Sequence, residues 1–127
     1  MKISLQNIYE CHKRSIEEFG GEDGIRDQNL IESAYYASFQ GFGDKEFYPT
    51  PEEKAARLGF GLAVNHGFID GNKRTGLAVM LLYLDVNGLF LEATNNELTK
   101  IFIDIAESPN NGYENLLAFV RSHVKKI

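Results

Sequence analysis

Apolar positions along the chain fall mostly at helical spacing, separated by short joints rich in glycine, proline and small polar residues. Ile3, Leu5, Ile8, Tyr9, His12, Ile16 and Phe19 mark an amphipathic first helix, stopped by Gly20 and Gly21. Asp27 is placed to cap a second helix carrying Leu30, Ile31, Ala34, Tyr35 and Phe39. The stretch GFGDKEFYP, residues 41 to 49, breaks the helical spacing and reads as a loop or short extended flap. Its aromatics Phe42, Phe47 and Tyr48 read as anchors of that loop in the core.

Thr50-Pro51-Glu52-Glu53 predicts a firm helix start, with Thr50 as N-cap, Pro51 at the first helical position and Glu53 closing a capping box. The helix that follows is apolar almost all round (Ala55, Ala56, Leu58, Phe60, Leu62, Ala63, Val64), as expected of a buried central helix ending near His66-Gly67. A second apolar helix is expected from about Asn72 to Asn87, with Gly88 as its stop. LFLEA then reads as a short strand or extended link. Thr94 with Glu97 forms another capping box, opening a helix that Ser108-Pro109 breaks. Asn110, Asn111 and Gly112 read as a plain turn before a last helix from about Tyr113 to Val124. Lys125 and Lys126 are then expected to sit favourably at its C-terminus. The predicted fold is all-α: two central helices joined by the 66–71 loop and wrapped by four others.

With 127 residues, one domain covering 1–127 is the expectation. A hydrophobic fraction of 43% and a charged fraction of 24% fit a globular protein with its own core. The net charge of −5 and a pI near 5.2 argue against direct nucleic-acid binding, since no helix carries a basic stripe. The single cysteine, Cys11, cannot form an internal disulfide and is expected to be an inert helix residue. Neither a signal-peptide core nor a segment long enough to span a membrane is visible, so a cytoplasmic location is expected.

One stretch departs from this plain picture. Residues 66–76, HGFIDGNKRTG, place a dense polar group between the two most apolar segments. Gly71 lets the backbone turn tightly into a helix N-terminus, where unpaired N–H groups form an anion nest. Lys73 and Arg74 then put two cations in the first turn, where the helix dipole disfavours them by roughly a few tenths of a kcal/mol. That cost is explained if a polyanion such as a nucleotide phosphate sits there. His66 has the chemistry of a general base near neutral pH. Asp70, a lone carboxylate beside phosphates, suits Mg²⁺. Phe68 is expected to point inward and anchor the loop, and Asn72 to bond the loop backbone or a phosphate. Together these are the parts of a phosphoryl or nucleotidyl transfer site. Taken singly, His66 reads as a helix-end histidine, Asp70-Gly71 as a turn and Lys73-Arg74 as a solvated face; the joint placement carries the functional reading. His12 and His123 read as surface or half-buried structural residues, and Asp23 and Arg26 as part of a helix-linking turn, with contact to substrate or antitoxin as the alternative.

HGFIDGNKRTG resembles the signature of the Fic/Doc family, HxFx(D/E)GN(G/K)R, matching at His66, Phe68, Asp70, Gly71, Asn72, Lys73 and Arg74. GGEDGIRDQNLIESAYY is also similar to the N-terminal region of Doc (death-on-curing) toxins, so the resemblance runs from about Ile8 to Phe119. It implies the compact six-helix Fic/Doc fold, with the 41–49 stretch in the place of the family's target-holding flap. It implies ATP as co-substrate with Mg²⁺, His66 as the catalytic base and Asp70 as the metal ligand. Lys73 and Arg74 would clamp phosphates, with Gly71 and Asn72 in the phosphate loop.

AMP-transferring members typically have glycine at the position of Lys73 and a second arginine at the position of Leu77. Both differences resemble the Doc branch, whose members transfer the γ-phosphate of ATP to a threonine of elongation factor Tu. The Doc pattern itself has alanine where this chain has Gly71, a small difference. The self-inhibiting motif [ST]xxxE[GN] is absent from the sequence, which implies restraint by a separate antitoxin of the Phd type. The alternatives are a Fic-type AMP transferase, or a catalytically weak nucleotide- or antitoxin-binding module.

Overall fold

The computed structural model describes residues 2–127. Six α-helices occur among them: α1 (Leu5–Phe19), α2 (Gln28–Ala37), α3 (Pro51–Val64), α4 (Asn72–Val86), α5 (Asn95–Glu107) and α6 (Gly112–His123). Local chemistry sets most of their starts. Ser4, Thr50 and Thr94 each cap a helix, and their partners Asn7, Glu53 and Glu97 complete the box by bonding back to the cap backbone. Asp27 caps α2 through the Asn29 N–H. Ile3, just ahead of the Ser4 cap, and Ile8, one turn in, are both buried, the placement of a hydrophobic staple.

The all-α fold is as the spacing predicts. Helices α3 and α4 are the central pair, and they approach closely enough to require glycine. A Cβ on Gly76 would lie 2.7 Å from the Gly59 carbonyl oxygen and 3.2 Å from the Ala63 nitrogen. Around this contact Leu58, Val79, Met80, Leu84, Phe102, Ile105, Leu116 and Val120 are fully buried. Each such side chain contributes about 1.5–3 kcal/mol relative to exposure. The tight α3–α4 pairing matters for function because the 65–71 segment joins their ends.

Two small antiparallel pairs complete the fold. The first, β1 (Gly41–Phe42) and β2 (Lys45–Glu46), turns at Gly43, whose φ of +61° suits glycine, and forms the expected flap. Its fixed point is Lys54 of α3, only 6% exposed, whose ammonium donates to Glu46 Oε2 at 3.1 Å and to the Tyr48 carbonyl. Phe42 and Phe47 are not core anchors, being 83% and 59% exposed; a two-residue hairpin lifted off the body cannot carry them inward. Only Tyr48 turns in, edge-on to Tyr113.

The second pair corrects the C-terminus. Leu89–Leu91 forms β3, as LFLEA suggests, but it pairs with β4, Val124–Lys126. Lys125 and Lys126 therefore lie in a strand beyond the helix, and Arg121 and His123 are the basic residues of the last helical turn. Asn110 and Asn111 form a short 3₁₀ turn with Pro109. α6 starts at Gly112, where a Cβ would meet the Phe60 ring. No helix among the described residues is long and apolar enough to cross a membrane.

Candidate active site

Helix α3 ends at Val64, and after the Asn65 cap the chain turns sharply at His66. His66 has φ +54°, the one non-glycine positive φ among the described residues. For a side chain of this kind the left-handed region costs about 1–3 kcal/mol and persists only where the surroundings impose it. Here they do. The segment 24–27 runs antiparallel to the loop: the Arg26 and Asp27 N–H groups both donate to the Gly67 carbonyl, at 2.8 and 2.9 Å. Ile69 N–H donates to the Gly24 carbonyl at 3.1 Å, and Arg26 Nε donates to the His66 carbonyl at 2.6 Å. Gly67 is pressed against α2, where a Cβ would collide with Ile31.

The middle of the loop is plugged into the core. Phe68 is 2% exposed, the inward anchor its sequence position suggests. His12 stacks on one face of it, with ring centroids 3.8 Å apart, and Tyr9 meets it edge-on. His12 Nε2 also donates to the Asp70 carbonyl at 2.9 Å, so this histidine is a buried support of the loop rather than a surface residue. A polar residue on the apolar stripe of α1 was the sequence signal for it.

The Asn72 side chain straps the loop shut. Its Oδ1 accepts from the Phe68 N–H and its Nδ2 donates to the Phe68 carbonyl, each at 3.0 Å. The amide is thus engaged with the loop backbone, which leaves its main-chain N–H as its contribution to an anion site. Asp70 Oδ1 accepts from the Gly71 N–H at 2.8 Å, and Oδ2 from the Glu22 N–H at 3.3 Å. The carboxylate is oriented by backbone, remains exposed and keeps a further lone pair on each oxygen.

Gly71 sits at the head of α4 in the left-handed conformation, φ +80° and ψ +19°, and no side chain caps this helix. The first helical bond is from the Thr75 N–H to the Gly71 carbonyl, at 2.9 Å. The N–H groups of Asn72, Lys73 and Arg74 therefore precede any helical partner and lie at the positive end of the dipole. No acidic residue occupies the first turn; Lys73 and Arg74 do, both exposed, with the Arg74 guanidinium 4.7 Å from the centre of the Phe19 ring.

Asp70, Gly71, Asn72, Lys73 and Arg74 thus stand at one helix start, with the exposed His66 earlier in the same loop and Phe68 facing the core. The arrangement suits a chain of phosphates. Among the described residues no group of three His, Cys, Asp or Glu side chains could hold a metal ion. A cation at Asp70 would accordingly rely on phosphate and water oxygens, the usual coordination of Mg²⁺. Cys11, half-buried on α1, has its thiol pushed up by burial, consistent with an inert residue. The sequence offers His12 as a structural residue and Arg26 in a turn; their contacts with the loop, and that of the Glu22 N–H, cross long sequence separations and are not visible in it.

Fold and loop together define an all-α protein with a basic, uncapped helix start beside an exposed histidine. The family model described as Fic/DOC family matches residues 2–84, and the chain belongs to this family. It is also similar to the protein named Toxin Doc of Mycolicibacterium smegmatis, 40% identical over 75 residues. That match covers 59% of this chain and 58% of the relative, so the chain spans a little under three-fifths of the relative's length.

Proposed function

We propose that the chain is a Doc-like toxin of a toxin–antitoxin system, moving the γ-phosphate of ATP to a threonine or serine hydroxyl of a translation factor. Elongation factor Tu is the target that the Doc resemblance implies, and translational arrest the outcome. The observation that carries this reading is the start of α4: uncapped by any side chain, free of acidic residues, and bearing Lys73 and Arg74 in its first turn.

In this mechanism the main-chain N–H groups of residues 72–74, with Lys73 and Arg74, hold the phosphates and offset the charge of the transition state. His66 accepts the proton of the target hydroxyl as its oxygen bonds to the γ-phosphorus. The bond from that phosphorus to the bridging oxygen breaks, and ADP leaves. Asp70, held by two backbone N–H groups, offers the carboxylate for Mg²⁺, which would neutralise phosphate charge when bound. The exposed flap at 41–46 offers a strand edge for an extended target segment. A Phd-type antitoxin would restrain the enzyme.

Lys73 favours γ-phosphate over AMP transfer, because its side chain stands where AMP-transferring members have glycine. Leu77 supports the same choice, since it packs against the core where those members carry a second arginine. Intact-mass measurement of elongation factor Tu after incubation with the protein, ATP and Mg²⁺ tests the proposal. A mass gain of one phosphate is expected. A gain of AMP would move the chain to the nucleotidyl-transferase branch, and an unmodified factor with unconsumed ATP would favour a binding module.

A further inference from the structure

We propose that Arg26 is the positioning residue for His66: its Nε–H, not its charge, holds the His66 backbone in the left-handed conformation and so fixes the direction in which the imidazole leaves the chain. The inference rests on the reading of His66 as the base. It goes beyond that reading by assigning a role outside the 66–76 segment.

Three observations converge. His66 is the one described non-glycine residue with a positive φ, at +54°. Its carbonyl accepts from Arg26 Nε at 2.6 Å. The next carbonyl, of Gly67, is held by the Arg26 and Asp27 N–H groups, which fixes the far side of the turn. Arg26 thus holds two successive peptides, the one after His66 through its side chain and the one after Gly67 through its main chain. The backbone bonds survive any substitution at 26; the side-chain bond does not. Without it the His66 carbonyl is free to rotate, and the residue can relax toward the commoner negative φ. The imidazole then swings with the backbone.

A pair of near-isosteres separates donor from charge. In Arg26→Gln the amide nitrogen occupies the position of Nε, so the donor stays and the charge goes. In Arg26→Met a methyl occupies that position, and both go. For the γ-phosphate transfer reaction, Arg26→Met should lower kcat roughly ten- to a hundredfold, the scale of a misplaced catalytic group, with KM for ATP changed less than about twofold. Arg26→Gln should recover most of the loss.

The backbone itself gives a readout that needs no activity. A residue with positive φ shows a strong intraresidue NOE between amide and Hα protons. That NOE at His66 should be present in the wild type, kept in Arg26→Gln and weakened in Arg26→Met. Equal loss of activity in both variants with a raised KM for ATP would overturn the proposal, because charge on the substrate would then be the role. An unchanged His66 NOE in Arg26→Met would overturn it also. If the wild type transfers no phosphate, the proposed function fails while the NOE series still decides the positioning.

Discussion

His12 lies flat on Phe68, ring centroids 3.8 Å apart and planes 7° from parallel, where the phenyl ring enters the core. The imidazole is 4% exposed, and its Nε2–H reaches the Asp70 carbonyl. One side chain of α1 therefore fixes both the anchor of the loop and the backbone of its carboxylate. His12→Phe keeps the stack and loses the donor, and should destabilise the fold by about 1–2 kcal/mol. His12→Ala loses both and should cost about 2–4 kcal/mol. Urea unfolding of the two variants checks the order; equal stability to wild type would mean that the loop does not depend on this contact.

Gly71 carries the head of α4 at φ +80°. Gly71→Ala places a Cβ there, 3.3 Å from Ile16 Cδ1, in a conformation that costs a side-chain residue about 1–2 kcal/mol. The alanine in the Doc pattern makes the swap look neutral by sequence, whereas this backbone gives it a measurable loss. A melting comparison of the two proteins decides between them.

Lys54 is a buried cation whose partners lie on the flap. Lys54→Met fills the same space, and the Glu46 carboxylate it leaves is half exposed, so the main loss is the donor to the Tyr48 carbonyl and overall stability should fall by about 1–3 kcal/mol. The hairpin should also loosen, and cleavage within residues 41–49 under limited proteolysis should accelerate several-fold. Unchanged cleavage would show that the hairpin holds itself.

The Tyr113 hydroxyl is pushed up to about 12, first by burial, then by Glu53 and Tyr48, with Arg121 and Arg57 opposing. The folded protein keeps this proton after the unfolded chain has lost it near pH 10. Its contribution to stability is therefore complete below pH 10 and declines as pH rises toward about 12. Tyr113→Phe should flatten the fall in melting temperature over that range. A parallel fall in both proteins would assign the effect to other groups.

What could be read from the sequence was local. Thr50 with Glu53 and Thr94 with Glu97 announce their helices because the capping partners are three residues apart. The polar group at 66–76 announces itself because cations stand at a helix start where the dipole disfavours them. The hidden parts are contacts between distant segments. His12 meets Asp70, Arg26 meets His66, and Val124–Lys126 becomes a strand only because Leu89–Leu91 lies beside it. Phe42 and Phe47 misled for the opposite reason: aromatic character suggests burial, but a two-residue hairpin holds them out in solvent.

If residues 66–74 form a phosphate-transfer site, His66 is its base. The most direct test supplies ATP labelled at the α- or γ-phosphorus, with Mg²⁺ and elongation factor Tu, to the wild type and to His66→Ala. His66 is exposed, so the variant should stay folded and still bind ATP. The expected result is γ-label on the factor with the wild type, no α-label, and loss of transfer in the variant. Transfer that persists in a folded His66→Ala protein would contradict it.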